Sequence, residues 1–311
     1  MGNDEKARLE REEYEAKGFV ANLDRYLLAV DESANGKFAS RLAGLLAGTR
    51  GVPITVLHIG SDAKNRERTP SGDESAEAAV KAGAKVTAAV EQESRLIAPT
   101  NVDVTTRAKK AGSVEAVSTE ARKGYSLLVI GVENLVAPDG SFDQESARIA
   151  LAFEGPLAVV VSRGEHLEQP AESSFRILVP ITGTEVSRRA AEVAVALARA
   201  NDVPITALYV SSTHANPEAR RRDRRATPSR RYEEAILKDV VALAERYDTE
   251  ARTSLQVDVA PEEAILRSAR NGRHNLVVMG VNRHSGDTLF FGNVAAAILQ
   301  QSKASILFIS N

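Results

Sequence analysis

The sequence repeats itself. The segment Val52-Pro53-Ile54-Thr55 recurs unchanged as Val203-Pro204-Ile205-Thr206, 151 positions later. At the same offset, residues 27–60 align with residues 178–211 without a gap. A chain made of two copies of one segment is expected to fold as two copies of one domain. At 311 residues, the chain gives each copy enough length to bury its own core.

Short apolar runs alternate with helical patterns in each copy. The runs LLVIGV (127–132) and LVVMGV (276–281) are apolar on both faces, which is typical of parallel strands covered by helices. In the second copy, Ile236, Val240 and Leu243 lie on one helical face. We therefore predict an α/β fold, with two tandem doubly wound parallel-sheet domains. The strands predicted in the second copy are 176–181, 205–210, 255–259, 276–279 and 306–309; the helices are 187–200, 232–247, one starting at Pro261, and 294–301.

The domain boundaries follow from polar stretches. Residues 1–22 are rich in charge and are predicted to form a linker helix. The first domain is predicted over residues 23–164 and the second over residues 174–311. The polar segment RGEHLEQPAESS (163–174) lies between them.

Composition excludes several function classes. The net charge of −2 gives no overall attraction for nucleic acid, and the absence of cysteine rules out disulfides and thiolate catalysis. The five histidines have no metal-ligand spacing, and no nucleophile elbow, Walker A or HExxH motif is present. We therefore predict a chain that is not an enzyme, with no catalytic residues and no metal site. No apolar run approaches the roughly 18 residues of a membrane span, so the chain is predicted to be cytoplasmic.

A ligand of such a sheet binds at the carboxyl ends of the strands, where the strand order reverses. In the second copy, the end of the first strand and the loop Gly280–Asn293 converge there. Glycines turn main-chain amides inward, Asn293 is expected to be the N-cap of the next helix, and Arg283 and His284 offer charge to a phosphate. The alternative is that the glycines only build a turn and both cations are solvated. The predicted nucleotide-binding residues are Pro180, Thr182, Val210, Gly280, Arg283, Gly286, Gly292, Asn293 and Val294.

The first copy differs at the same place. Its loop, residues 131–148, has few glycines and carries four acidic residues that would repel a phosphate. Its first strand ends at Asp31, which is a possible nucleoside contact; Thr182 is the counterpart in the second copy. The phosphate loop is therefore predicted to be degenerate in the first domain.

The segments AVDES (29–33), the two VPIT strands and the VVMG–loop–GN–helix ending resemble tandem universal stress proteins over residues 24–311. That resemblance implies adenine-nucleotide-binding domains with strand order 3-2-1-4-5 that pair through their last strands, hence a homodimer. It also implies ATP or AMP as ligand, with magnesium as a further candidate. The family motif has a second glycine where Arg283 stands, Ser or Thr where Asn293 stands, and Asp where Thr182 stands.

The segment 280–299 also resembles the C-terminal cytoplasmic region of bacterial cation/proton antiporters. This implies that residues 4–20 lead out of an attached transmembrane domain of an inner-membrane protein, and that the chain modulates transport. Two alternatives stay open: a free-standing tandem protein, and a structural dimerisation module with vestigial nucleotide sites.

The strongest charge cluster is Arg220–Arg225 with Arg230 and Arg231. It either binds polyphosphate, anionic lipid headgroups or an acidic partner surface, or it is a solvated loop. Nucleic acid is not expected as a partner because no aromatic residues interleave with the arginines.

Overall fold

A computed structural model describes residues 18–59, 76–85, 102–107, 113–211, 228–284 and 288–311. The first domain consists of β1 (Tyr26–Val30), α1 (Ala34–Gly48), β2 (Ile54–His58), α2 (76–85), β3 (Val104–Arg107), α3 (Ser113–Ala121), β4 (Leu127–Gly131), α4 (Gln144–Leu151) and β5 (Leu157–Val161). A short helix, α5 (Glu165–Glu168), follows in the connecting segment. The second domain consists of β6 (Ile177–Ile181), α6 (Glu185–Arg199), β7 (Ile205–Ser211), α7 (Pro228–Arg246), β8 (Ala251–Val257), α8 (Pro261–Asn271), β9 (Leu276–Val281), α9 (Asn293–Gln301) and β10 (Ser305–Ser310).

The two halves share one sheet of ten strands, in the order β3-β2-β1-β4-β5-β10-β9-β6-β7-β8. Each half by itself has the order 3-2-1-4-5, so the predicted fold class and strand order are confirmed. The halves meet at their last strands, where β5 and β10 run antiparallel and Val161 pairs with Ile306. Because both last strands are paired inside the chain, the predicted homodimer would have to use another surface.

Successive side chains of a strand point to opposite faces of the sheet, so the sheet has two cores. Leu28 and Val179 belong to the core under α1, α2, α6 and α7. Leu27 and Leu178 belong to the core under α3, α4, α8 and α9. Each core includes residues of both domains, so burial of apolar area also holds the domains together.

The segment between the domains is packed into this structure rather than extended. His166 of α5 is fully buried and stacks on Phe38 of α1, with ring centroids 4.4 Å apart. Its Nδ1 lies 2.9 Å from Ser305 Oγ at the start of β10. Arg41 of α1 donates to the main-chain oxygen of Ser173 at 2.8 Å. The connection therefore fixes both domains through buried polar contacts.

The element boundaries that differ most from the sequence predictions are at three places. Of the linker helix predicted over 1–22, residues 1–17 lie outside the described part of the chain, and Val20–Asn22 forms a single 3-10 turn. Helix α7 begins at Pro228 rather than at 232. Strand β8 covers Ala251–Val257 rather than 255–259, because pairing with β7 recruits its polar residues to an exposed sheet edge.

No helix within the described residues is long and apolar enough to cross a membrane.

Candidate functional site

The strand order of the second domain reverses between β6 and β9, and the hydrogen-bond ladder between these strands ends earlier than in the first domain. Strands β1 and β4 pair along five residues, from Tyr26–Leu127 to Val30–Gly131. Strands β6 and β9 pair only at Ile177–Leu276 and Leu178–Val277. The strands are thus not joined by the ladder beyond Leu178, at the end of the sheet where a ligand of this fold would enter.

Pro180 explains the early end of the ladder. The main-chain oxygen of Arg176 accepts from the amide of Asn275, 3.0 Å away, so residues 176, 178 and 180 present their main-chain groups to β9. Pro180 has no amide hydrogen to continue this ladder. Ala29 holds the matching position in the first domain and does have one. The predicted site residue Pro180 is buried, and it interrupts the hydrogen bonding between β6 and β9.

Gly280 is required by packing. A Cβ at this position would lie 2.1 Å from the main-chain oxygen of Val186, in the first turn of α6. Gly131 is the equivalent glycine of the first domain, and a Cβ there would lie 2.2 Å from Ala39 Cβ. The sequence predicts that Gly280 ends its strand; the strand instead continues to Val281. The close approach at Gly280 is that of a helix to the strand.

The N-terminus of α9 is capped by Gly292, not by Asn293 as the sequence predicts. Gly292 has a φ of +91°, which favours glycine, so it takes the position before the first helical residue. Asn293 is therefore the first residue of the helix, and Val294 the second. Because glycine has no side chain, the amides of the first turn of α9 have no side-chain cap at this position.

The first domain fills the same position with a carboxylate. Asp143 aligns with Gly292 at the offset of 149 and is the N-cap of α4. Its Oδ2 accepts from the amides of Glu145 at 3.0 Å and Ser146 at 3.2 Å. The N-cap position thus carries a negative side chain in α4 and no side chain in α9. The degenerate phosphate loop of the first domain stays a prediction.

Arg283 holds the two domains together. Its guanidinium donates to the main-chain oxygen of Phe153 at 2.7 Å and also to those of Gly155 and Asn311. Burial lowers the pKa of Arg283 from its ordinary value. The phosphate contact predicted for Arg283 would require these bonds to break.

His284 lies beside the start of α9. A Cβ on Gly292 would lie 3.4 Å from His284 Nε2, and the His284 ring packs on Phe290 at a centroid distance of 5.3 Å. The amide of His284 also donates to the main-chain oxygen of Phe290 at 3.1 Å. Of the two cations that the sequence offers to a phosphate, the structure brings His284 to the helix N-terminus.

The ends of the first strands differ between the domains. Asp31 Oδ2 accepts from the amide of Glu133 at 2.7 Å, and Oδ1 accepts from the amide of Ser33 at 3.1 Å. Its carboxylate thus joins the ends of β1 and β4 within the domain. The side chain of Thr182 is exposed, and its hydroxyl lies 2.9 Å from that of Thr184, the N-cap of α6.

Val210 lies near the end of β7 and is partly buried. The next residue, Ser211, donates to Glu233 of α7 at 2.5 Å, and both are buried. A cleft of about 290 Å³ lies between α6 and α7, and none of the predicted nucleotide-binding residues lines it.

Gly286 and Arg220–Arg225 lie outside the described residues. Arg230 and Arg231 begin α7, and Arg231 is exposed.

Sequence reasoning missed Asp143 as a helix cap and Glu233 as a buried acid. The offset of the repeat contains the signal for Asp143, because it aligns a carboxylate with Gly292. No short motif marks Glu233. Among the described residues, no group of three or more His, Asp or Glu side chains is placed to hold a metal ion.

Comparisons with known proteins agree with the tandem fold described above. The model of the universal stress protein family matches residues 22–160 and 174–310. A universal stress protein from Archaeoglobus fulgidus matches at a TM-score of 0.54 and 16% identity, over 92% of this chain and 98% of that one. A structure from Pseudomonas aeruginosa, assigned to the universal stress proteins, matches at a TM-score of 0.55 and 14% identity, over 94% of each chain. No curated protein matches.

The fold and the site thus define a tandem doubly wound α/β protein whose two copies share one sheet and differ at the phosphate loop. This chain belongs to the universal stress protein family, with one family domain in each half.

Proposed function

We propose that the chain is a non-catalytic regulatory module that binds an adenine nucleotide in its second domain. The observation that carries this is the cap of α9. In α4 the equivalent amides are satisfied by Asp143, whereas Gly292 leaves the first turn of α9 open to an external anion. A helix N-terminus favours an anion through its free amides and its dipole.

Two further features support a nucleotide at this place. The hydrogen-bond ladder between β6 and β9 ends at Leu178, at the reversal of strand order where ligands of this fold bind. His284 adds a ring nitrogen beside Gly292. Thr182, Val210, Asn293 and Val294 stay predicted contacts around the nucleotide. No carboxylate cluster for magnesium is found among the described residues, so a magnesium ion would depend on the phosphates for its ligands.

The experiment is a calorimetric titration of the full chain with ATP and with AMP, on matched variants of Asn293. Asn293→Asp places a carboxylate in the first helical turn, which favours the helix but repels a phosphate. We expect at least tenfold weaker binding with an unchanged melting temperature. Asn293→Ser keeps the position polar and uncharged, and its affinity should stay within about threefold of wild type.

Absence of heat with both nucleotides, or equal affinities of the two variants, would overturn the proposal. The chain would then be better described as a structural module with vestigial sites, whose melting temperature does not respond to nucleotides.

We further propose that this module regulates an attached cation/proton antiporter. The support for this step is the sequence resemblance of residues 280–299. Reading the genomic sequence that precedes the codon for Met1 tests it. About a dozen apolar segments of membrane-spanning length are expected in the same reading frame; a stop codon directly upstream would leave the free-standing alternative.

A further inference from the structure

We propose that a second anion site lies at the opposite end of the sheet and binds a small molecule that carries two or more phosphate groups. A cleft of about 550 Å³ opens where β6, β9 and β10 begin. Its charged lining residues are Arg163, Glu165, Arg176, Arg270, Arg273 and Lys303. We call it the amino-end cleft. It is remote from the α9 N-terminus, which faces the carboxyl ends of the strands.

The amino-end cleft has an excess of positive charge that its own contacts do not neutralise. Glu165 pairs with Arg176, with 2.9 Å between Oε1 and Nη2. Arg270, Arg273 and Lys303 are exposed, and among the described residues their side chains have neither an ion pair nor a hydrogen bond. Three unpaired cations at one concave surface are complementary to a multiply charged anion.

The remaining basic side chain is held in place. The guanidinium of Arg163 donates to the main-chain oxygens of Leu299 and Ser302 at the end of α9. Its role is therefore to cap a helix C-terminus, and the cleft gains its binding charge from the other three.

Comparison of the two domains shows that these three cations are not demanded by the fold. At the offset of 149, Arg270 aligns with Ala121, Arg273 with Gly124, and Lys303 with Glu154. At these three positions the first domain has a formal charge of −1, where the second has +3. The end of α3 has cations of its own at Arg122 and Lys123, but they stand at different positions, and Lys123 is paired with Glu120 at 2.6 Å.

The backbone at Arg273 adds an independent observation. Arg273 has a φ of +51°, in the left-handed region, and its counterpart Gly124 has a φ of +76°. Glycine adopts this conformation without steric cost, and a residue with a Cβ does not. An arginine at a position where the same fold elsewhere uses glycine indicates a role for its side chain.

The chemistry of the ligand follows from the donors. Arginine offers paired N–H groups that match phosphate oxygens, and lysine adds a point charge. A concave site of this volume suits a small molecule better than a flat surface does. The ligand is therefore a soluble anion with several phosphate groups; a phosphate-bearing lipid headgroup has the same chemistry and is separated by experiment.

The test uses tripolyphosphate as the probe, titrated calorimetrically into the full chain in the Asn293→Asp background, so that the nucleotide site does not contribute. Arg273→Gly and Lys303→Glu each restore the residue of the first domain. We expect each to weaken binding at least tenfold. Arg273→Gly also removes the left-handed strain, so its melting temperature should equal or exceed that of its parent, which separates loss of binding from loss of fold.

Arg148→Ala, at an exposed position of α4 outside the cleft, is the control and should bind as its parent does. Parental affinity in Arg273→Gly and Lys303→Glu would overturn the proposal, as would an absence of binding before mutation. Phosphatidylglycerol vesicles form the second arm. If the parent protein sediments with the vesicles, Arg273→Gly abolishes this, and tripolyphosphate does not bind, then the cleft binds a membrane surface and not a soluble ligand.

Discussion

The guanidinium of Arg283, in the second domain, donates a 2.7 Å hydrogen bond to the main-chain oxygen of Phe153, in the first. Phe153 lies in the loop between α4 and β5, the strand through which the domains are joined. The antiparallel pairing of β5 with β10 thus has a side-chain contact beside it. In the sequence, Arg283 replaces a glycine of the family's phosphate motif; in the structure, it joins the domains.

Removal of this contact should loosen the domain junction. Arg283→Ala leaves the main-chain oxygens of Phe153 and Gly155 without their charged donor, which we expect to lower the free energy of unfolding by about 2 kcal/mol. Urea denaturation measures this. Arg283→Lys provides one donor group in place of a planar fork and should recover part of the loss. A loss below about 0.5 kcal/mol in Arg283→Ala would show that strand pairing alone holds the junction.

Pro180 should control how far the hydrogen-bond ladder between β6 and β9 extends. In Pro180→Ala the new amide can donate to β9, as the amide of Ala29 does in the first domain, so we expect the two strands to pair further. Stability should change by less than about 1 kcal/mol, because a gained hydrogen bond offsets the lost rigidity of proline in the unfolded chain.

The readout for Pro180→Ala is hydrogen exchange of the residue 180 amide, which should be strongly protected, together with weaker nucleotide binding. Pro204→Ala, just before β7, should leave nucleotide affinity unchanged. Rapid exchange at residue 180 would show that something other than the missing amide limits the pairing of β6 with β9.

His166 should make stability depend on pH. Burial lowers its pKa to about 4, whereas in the unfolded chain it has the ordinary value of 6.5. The folded state therefore holds the ring neutral, so its contribution is present above pH 6.5. It is lost as the pH falls through the window between 6.5 and about 4. A difference of this size corresponds to about 3 kcal/mol.

Other groups titrate in the same range, so the measurement is the difference between wild type and His166→Gln in urea denaturation. The variant loses the stacking on Phe38 and should be less stable at pH 7. Its deficit should shrink by about 3 kcal/mol on going from pH 7 to pH 4. A deficit that does not change with pH would mean that the buried ring is not held neutral.

The cap of α4 allows a separate test. Asp143→Ala removes the acceptor of the Glu145 and Ser146 amides, which we expect to lower stability by about 1 kcal/mol. Asp143→Asn retains an acceptor and should cost less than half as much. Thermal unfolding of both variants checks the order. Equal losses would indicate that the charge of Asp143, rather than its hydrogen bonds, stabilises the helix.

The sequence by itself determined the repeat and the fold class, because apolar periodicity and turn residues are local properties of the chain. The strand order was implied by the resemblance to universal stress proteins. The offset of 151 aligns β1 with β6 and α1 with α6 residue by residue. It also indicated that the two phosphate loops differ, since acidic residues in one and glycines in the other can be read directly.

Only the tertiary structure decided what each loop residue contacts. The assignment of Arg283 depends on the main-chain oxygens of Phe153 and Gly155, about 130 positions earlier in the chain, which no local pattern contains. The cap of α9 was placed one residue late because the left-handed backbone of Gly292 is set by the path of the loop. Pairing of β5 with β10 merges two sheets into one, and that contact results from the packing of two folded domains.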